Sequence, residues 1–183
     1  MQFGEGDPVS QVTAYGTSVL GLIASQEPDG SYRFDADARD TGVFKGYDYH
    51  ELGEPGAVEV GLMAGKAAQL LQVARISGDR AYYDAALRTL RRMEAFRVPR
   101  AAQVWEVPVH TPDILAAADC VDAYLEAYWF SGDRRWLERA KLWARRGMPF
   151  VYVWNAPGKL WMRYGSIPVF GASQMRGSLF GNV

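Results

Sequence analysis

The sequence has almost no cysteine: Cys120 is the only one in 183 residues. A single thiol can form neither an intrachain disulfide nor a thiolate metal cluster. Its apolar helical surroundings predict a small core residue. Long apolar runs are also missing, because no stretch approaches the ~20 residues that a membrane span needs. No charged segment followed by an apolar run opens the chain, so we expect no export signal in the chain as given.

An excess of either charge is missing too. The 20 Lys and Arg residues nearly balance the 21 Asp and Glu residues, which leaves a net charge of −1. We therefore expect neither nucleic acid nor a membrane as a partner. The acidic run "DADARD" (residues 35–40) lacks the glycine that a calcium loop carries at its sixth position. It predicts a solvated loop, and we expect no metal site and no cofactor.

The composition that is present is that of a globular domain with a sizeable core, at 49% hydrophobic and 22% charged residues. Two segments, "ISGDRAYYDAALRTLRRM" (76–93) and "FSGDRRWLERAKLWARRG" (130–147), align without gaps. In each "SGD" turn the glycine can end one helix in the left-handed conformation, and the aspartate can cap the next helix. The repeat predicts two αα-hairpins.

Helical periodicity separates the two helices of each hairpin. Helices 80–96 and 134–147 carry arginines on one side, whereas helices 57–77 and 113–131 are apolar on most sides and are predicted to lie inside. The exceptions on helix 113–131 are Asp119, Asp122 and Glu126, which we interpret as salt-bridging to the arginines of helix 134–147. A further helix is predicted over 9–25, and the long loops are predicted over 26–56, 97–112 and 148–183.

Stacked hairpins of this kind favour an α/α solenoid or a closed α/α toroid. The phrase "QEPDGSYRF" (26–34) resembles phrases that follow helices in six-hairpin glycosidase and terpenoid-cyclase-like toroids. Together with the hairpins, it makes the chain resemble the (α/α)6 six-hairpin superfamily of carbohydrate-active enzymes over about residues 9–150. The resemblance implies an all-α fold and a glycoside hydrolase activity on an oligosaccharide or polysaccharide.

A complete toroid needs more residues than this chain has. Six hairpins at the spacing of 54 residues between Ile76 and Phe130 would need about 320 residues, and the chain has 183. We therefore expect residues 1–183 to form one partial toroid domain, about half of an (α/α)6 toroid, with an irregular or β-like C-terminal tail. Its open edge is expected to favour self-association.

The stretch "WEVPVHTPDILAAAD" (105–119) has the signals of a helix start, with Thr111 as the expected N-cap and Pro112 as the first helical residue. If the helices alternate in direction, the three long loops meet at one end of the bundle. Functional residues usually lie on such loops. The candidates for substrate binding at this end are Trp105, His50, Tyr47, Tyr49, Trp154 and Arg163. An equally good interpretation of Tyr47, Tyr49, Trp105 and Trp154 is that their rings fill the mouth of the helix bundle.

Glycoside hydrolysis needs a carboxylic acid and a second carboxylate. The candidates for this pair are Asp48, Glu51, Glu106 and Asp113. An alternative is a sugar epimerase or polysaccharide lyase, in which His50 and His110 move protons. A second alternative is a noncatalytic α/α binding or scaffold module.

Overall fold

The computed structural model describes residues 19–37, 50–104 and 107–150. Residues 19–24 are helical and are called α1. The other helices are α2 (Gly61–Ser77), α3 (Arg80–Met93), α4 (Ile114–Ser131) and α5 (Arg134–Gly147), and 3-10 turns occur at His50–Leu52 and Met148–Phe150. No strand occurs in these three ranges, where an isolated β-bridge joins Arg100 and Pro112. The all-α prediction is confirmed there, and the predicted tail lies outside the described residues.

The two "SGD" turns are built in the same way. Gly78 (φ 72°) and Gly132 (φ 69°) end α2 and α4 in the left-handed conformation. The next aspartate in each turn caps the following helix: Asp79 accepts a hydrogen bond from the Ala81 backbone N–H (2.8 Å), and Asp133 accepts one from Arg135 (2.9 Å). The predicted pair of equivalent αα-hairpins is confirmed.

Helices α2 and α4 lie side by side, and each is covered by the second helix of its own hairpin. The outer helix α5 packs on α4 and buries Trp136, Ala140 and Trp143. Its Arg134, Arg135 and Arg145 side chains are exposed. Tyr124 of α4 joins the two hairpins, because its hydroxyl donates to the Leu90 carbonyl of α3 (3.1 Å). Cys120 is fully buried, so its predicted place in the core is confirmed.

Two predicted helix boundaries were wrong. Helix α2 begins at Gly61 rather than residue 57, because Ala57 pairs with the preceding loop and its carbonyl accepts from the Phe34 N–H (2.8 Å). Helix α3 ends at Met93 rather than residue 96. The next residues form tighter turns, in which the Phe96 N–H donates to the Met93 carbonyl (3.1 Å). The first error falls where a loop contact outcompetes helical propensity.

The phrase "QEPDGS" attaches the end of α1 to α3. The Gln26 side-chain amide donates to the Ala85 carbonyl (2.8 Å) and the Thr89 hydroxyl (2.7 Å), and its oxygen accepts from Arg88 (2.6 Å). Gly30 (φ 84°) lies against the α3 backbone, where a Cβ atom would come within 2.5 Å of the Arg88 carbonyl group. The phrase that carries the resemblance therefore has a structural role.

The described parts of loops 26–56 and 97–112 meet at the N-terminal end of α2. They form a second apolar cluster, separate from the core between the helices, whose larger members are Phe34, Leu52, Leu62, Val104 and Val109. A backbone hydrogen bond from the Val109 N–H to the Leu52 carbonyl (2.6 Å) also joins them. The prediction that these two loops share one end of the bundle is confirmed for their described residues.

Candidate functional site

A buried carboxylate meets an exposed histidine at this loop end of the bundle. Glu59 lies just before α2, and His110 lies in the loop before α4. The Glu59 Oε1 atom is 2.8 Å from His110 Nδ1, and the two side chains are 9% and 60% exposed. An ionised carboxylate can only accept hydrogen bonds, so Nδ1 is the donor and Nε2 carries the free lone pair in the neutral ring. Glu59 thus orients a histidine that solvent can reach.

Arg100 completes the surroundings of Glu59. Its Nη1 atom lies 3.5 Å from the same Glu59 Oε1 atom. The Arg100 carbonyl accepts the Gly61 N–H (2.8 Å), which ties the loop to the start of α2. The Arg100 side chain thus places a permanent positive charge beside the Glu59 carboxylate.

The loop that carries Arg100 is held in a narrow space between α2 and α4. Ala101 adopts a left-handed backbone (φ 71°), which is uncommon for a residue with a side chain. Gly61 permits the close approach, because a Cβ atom there would lie 2.4 Å from the Ala102 nitrogen. The position of Arg100 therefore depends on how closely this loop packs against the N-terminal ends of α2 and α4.

Asp113 lies beside this site but is fully buried. Its Oδ1 atom accepts the Ala116 N–H (2.6 Å) and its Oδ2 atom accepts the Ala102 N–H (3.1 Å). It is thus the N-cap of α4, and the prediction of Thr111 as N-cap and Pro112 as first helical residue was wrong. Burial raises the pKa of Asp113, although the backbone N–H donors act in the opposite direction. Its predicted role as an acid or base stays a prediction.

His50 and Glu51 lie on an exposed 3-10 turn next to the His110 loop. The hydrogen bond between Val109 and Leu52 holds this turn and this loop side by side. The His50 Nε2 atom lies 3.2 Å from Asp37 Oδ1, and both side chains are largely exposed. Of the predicted site residues, the structure thus brings His50, Glu51, His110 and Asp113 to one end of the bundle. The others lie outside the described residues: Tyr47, Asp48, Tyr49, Trp105, Glu106, Trp154 and Arg163.

Two of the three residues in the acidic stripe of α4, Asp119 and Glu126, lie against α2 and not against α5, and Asp122 is exposed. Glu126 pairs with Arg75 of α2 (3.2 Å). The Asp119 carboxyl lies near Gly65 of α2, where a Cβ atom would be 3.7 Å from its Oδ2 atom. The interpretation as salt bridges to helix 134–147 was therefore wrong. Burial, followed by the charges of Asp113 and Asp122, raises the pKa of the half-buried Asp119 to about 6.

A second concave feature lies between the loop after α1 and α2. It encloses about 520 Å³, and Tyr32, Arg33 and Lys66 are among its lining residues. Tyr32 is buried, and the Lys66 ammonium lies 4.5 Å from the centre of its ring. Because Lys66 already covers this ring face, the pocket does not offer Tyr32 to a sugar for stacking.

Comparison with known proteins finds no relative. No family model matches the chain, and no curated protein or solved structure is significantly similar to it. None of the helices in the described ranges is long and apolar enough to cross a membrane. Among the same residues, no group of three or more His, Cys, Asp or Glu side chains is arranged to hold a metal ion.

Sequence reasoning missed Glu59 and Arg100 as site residues. Glu59 had one usable signal, because it is the only carboxylate in the predicted inner helix 57–77. A buried acid in that position needs a polar partner. Nothing in the sequence pointed to His110 as that partner, since 51 residues separate them.

Proposed function

We propose that the protein is a carbohydrate-active enzyme in which His110, oriented by Glu59, transfers a proton. The contact of 2.8 Å between Glu59 Oε1 and His110 Nδ1 carries the proposal. Histidine titrates near neutral pH, and a carboxylate on one ring nitrogen fixes which nitrogen is free to react. The proposal corresponds to the sugar epimerase or polysaccharide lyase among the alternatives.

The proposed chemistry starts at a carbon beside a carbonyl or carboxylate group of the sugar. His110 Nε2 takes the proton from that carbon, and Glu59 stabilises the resulting imidazolium. In a lyase the electron pair left on carbon forms a C=C bond as the glycosidic C–O bond breaks, and the departing oxygen takes a proton from the imidazolium or from water. In an epimerase water delivers a proton to the opposite face of the carbon, and the imidazolium returns its own proton to solvent. Neither reaction requires a redox cofactor.

The carbohydrate class rests on the resemblance to the six-hairpin enzymes. Equivalent hairpins, with one helix of each in an inner layer, support the proposal that α2 to α5 belong to an (α/α)6 toroid. In such an arrangement the loops at one end surround the opening of the bundle, and Glu59, Arg100 and His110 lie on or beside these loops.

A glycoside hydrolase is the second candidate, and Asp119 is the observation that favours it. A carboxyl group whose pKa is raised to about 6 keeps a larger protonated fraction near neutral pH, and the protonated form can donate its proton to a glycosidic oxygen. The hydrolase hypothesis then needs a second carboxylate, and Glu51 on the exposed turn is a candidate within the described residues.

The test is a panel of oligosaccharides in which unsaturated products, epimers and new reducing ends are followed separately. Unsaturated products or epimers support the proposal, reducing ends alone favour the hydrolase, and no product from any sugar favours a noncatalytic module. His110→Gln is expected to lower kcat by ~10²–10⁴-fold. Glu59→Gln is expected to lower kcat by ~10–10²-fold with little change in KM, because Glu59 acts through His110.

The matched control for Glu59→Gln is Glu138→Gln. Glu138 is an exposed carboxylate of α5 that pairs with Lys141 (2.7 Å). Its loss removes a similar charge from the exposed side of α5, where the carboxylate pairs with Lys141 and not with His110, and we expect an unchanged kcat. Equal losses in both variants would contradict the proposed role of Glu59.

A further inference from the structure

The positive charges of the chain are concentrated on the two outer helices. Helix α5 has six Lys or Arg residues and one acid among its 14 residues, and α3 has four Arg residues and one acid. Residues 1–79, in contrast, contain twelve acidic and five basic residues. The small net charge of −1 therefore results from an acidic N-terminal part and basic outer helices, not from evenly mixed charges.

Three of these cations form a row along the exposed side of α5. Arg134, Lys141 and Arg145 are separated by seven and four residues, a spacing that places them on one side of the helix. All three residues are exposed. The basic row formed by these three residues is about 16 Å long, since an α-helix rises about 1.5 Å per residue.

The one acid of α5 does not neutralise the basic row. Glu138 lies between Arg134 and Lys141 in the helix and pairs with Lys141 (2.7 Å). The pKa of Glu138 is lowered first by Lys141 and then by the charges of Arg145 and Arg134. Three positive charges thus act on a single negative charge. In the part of the chain that the structure describes, neither Arg134 nor Arg145 forms an ion pair of its own.

Several other exposed arginines do have acidic partners. Arg33 pairs with Glu27 (3.0 Å), and Arg80 pairs with Asp84 (3.6 Å). Such pairs are ordinary surface ion pairs between groups of the same chain. The basic row differs from them because its charge exceeds that of the acids beside it, so a partner molecule can still neutralise it.

The C-terminal end of α5 lies beside the loop that leads to the candidate site. Arg146 donates to the Phe96 carbonyl (3.2 Å) at the start of this loop. The Pro99 carbonyl of the same loop accepts the Asp113 N–H (3.0 Å), three residues after His110. The basic row therefore runs from the "SGD" turn toward the end of the bundle that carries His110.

We propose that the basic row of α5 binds an acidic polysaccharide, of the kind in which uronic acids supply the negative charge. Such a polymer presents carboxylates at regular intervals along an extended chain, and guanidinium groups match carboxylates in geometry. The choice of a polysaccharide rests on the proposed function, in which His110 acts on a sugar carbon beside a carbonyl or carboxylate group. A polymer lying along the row would extend toward the His110 end of the bundle.

Other partners fit the basic row less well. Amphipathic helices that bind anionic membranes also insert an apolar face, and the exposed row of α5 contains no apolar residue. Single-stranded nucleic acid is bound through bases that stack on aromatic rings, and the two aromatic residues of α5, Trp136 and Trp143, are buried. A neutral polysaccharide would leave the charges of Arg134 and Arg145 without a partner.

The experiment is a calorimetric titration of the full chain with polygalacturonate at ~0.1 M salt, where the Debye length is about 10 Å. Neutral dextran, a DNA duplex and phosphatidylserine vesicles are the comparisons. We expect polygalacturonate to bind more tightly than each of them, with an affinity that falls as the salt concentration rises. No binding of polygalacturonate, or equal binding of dextran, overturns the proposal. Equal or tighter binding of DNA or of the vesicles overturns the assignment to a polysaccharide.

Substitutions then locate the binding. The double variant Arg134→Gln and Arg145→Gln should fold, because both residues are exposed, and should weaken polygalacturonate binding by ~3–20-fold. The control is the double variant Arg33→Gln and Arg88→Gln, which removes the same net charge from two exposed residues outside α5. We expect the control to bind within about 2-fold of the parent, since screening limits the effect of distant charges. An equal loss in the control would show a response to net charge alone and overturn the proposal.

The binding test is separate from the test of the chemistry. His110→Gln should bind polygalacturonate as tightly as the parent, because His110 is not part of the basic row. A parent protein that binds polygalacturonate but forms no product from any sugar would contradict the proposed function and support the binding proposal. Activity in a protein that does not bind polygalacturonate would do the reverse.

Discussion

Replacing Asp113 by alanine tests whether this buried carboxylate is mainly structural. The substitution removes the N-cap of α4, which costs about 0.5–2 kcal/mol in comparable proteins. It also leaves the Ala102 N–H, now bonded to Oδ2 at 3.1 Å, without an acceptor, at a cost of about 1–3 kcal/mol. We expect the free energy of unfolding to fall by about 1.5–5 kcal/mol in total. Urea unfolding followed by far-UV circular dichroism measures this change.

Asp133→Ala is the matched control, since Asp133 caps α5 through a single exposed hydrogen bond of 2.9 Å. Its loss should cost about 0.5–1 kcal/mol. The loss of unfolding free energy in Asp113→Asn should lie between the losses in the two alanine variants. The amide keeps one acceptor oxygen but turns its NH2 group toward one of the two backbone N–H donors. If Asp113→Ala costs no more than Asp133→Ala, the structural interpretation of Asp113 is refuted. A folded Asp113→Asn variant that loses ~10²–10⁴-fold in rate would instead support its role as an acid or base.

Three further predictions concern the rest of the chain. The pKa of Asp119 rises from its usual 3.8 to about 6 in the folded protein, so stability present below about pH 4 is lost as the pH rises to about 6. This pKa shift corresponds to at most about 3 kcal/mol of stability, reduced to about 1–2 kcal/mol by solvent screening. Asp119→Asn should therefore be more stable than the parent by about 1–2 kcal/mol at pH 7 and should lose this advantage near pH 4. Urea unfolding that shows no pH-dependent difference between the two proteins would contradict this. Gly61→Ala should lower the free energy of unfolding by about 1–3 kcal/mol, because its Cβ would meet the backbone of residues 100–102. Gly21→Ala has open space around its Cβ and should raise the free energy of unfolding by up to ~1 kcal/mol. Equal midpoints of the two variants in thermal unfolding would contradict this prediction. The apolar side chains of Ile76 and Trp129 are 78% and 59% exposed, and we expect the protein to self-associate in light scattering. The double variant Ile76→Gln and Trp129→Gln should weaken this association. A monomer at every protein concentration would contradict the prediction.

The hairpins could be predicted because their turns are encoded locally. A glycine that can take positive φ, followed by an aspartate that caps the next helix, fixes a turn within four residues, and both "SGD" turns follow this rule. The helix boundary at residue 57 was wrong because Ala57 pairs with the distant Phe34, which the local sequence does not reveal. The boundary at residue 96 was wrong because residues 94–96 form tighter local turns in place of the α-helix.

The site was less predictable because its contacts are long-range. The presence of His110 near a helix start was visible in the sequence, but its pairing with Glu59 depends on a loop that Ala101 and Gly61 shape together. The prediction of which helix the acidic residues of α4 contact was wrong for a related reason. Periodicity places Asp119 and Glu126 on one side of the helix, but it does not say which neighbouring helix that side meets.

The state of the His110 ring tests the central claim most directly. Nitrogen-15 NMR of the imidazole distinguishes the two neutral tautomers, and His50, the only other histidine, provides a reference in the same spectrum. We predict that neutral His110 carries its proton on Nδ1, next to Glu59, and that Glu59→Gln shifts the population toward the Nε2–H tautomer while His50 is unchanged. A His110 ring protonated on Nε2 in the parent protein, with no response to Glu59→Gln, would contradict the proposal that Glu59 prepares His110 for proton transfer.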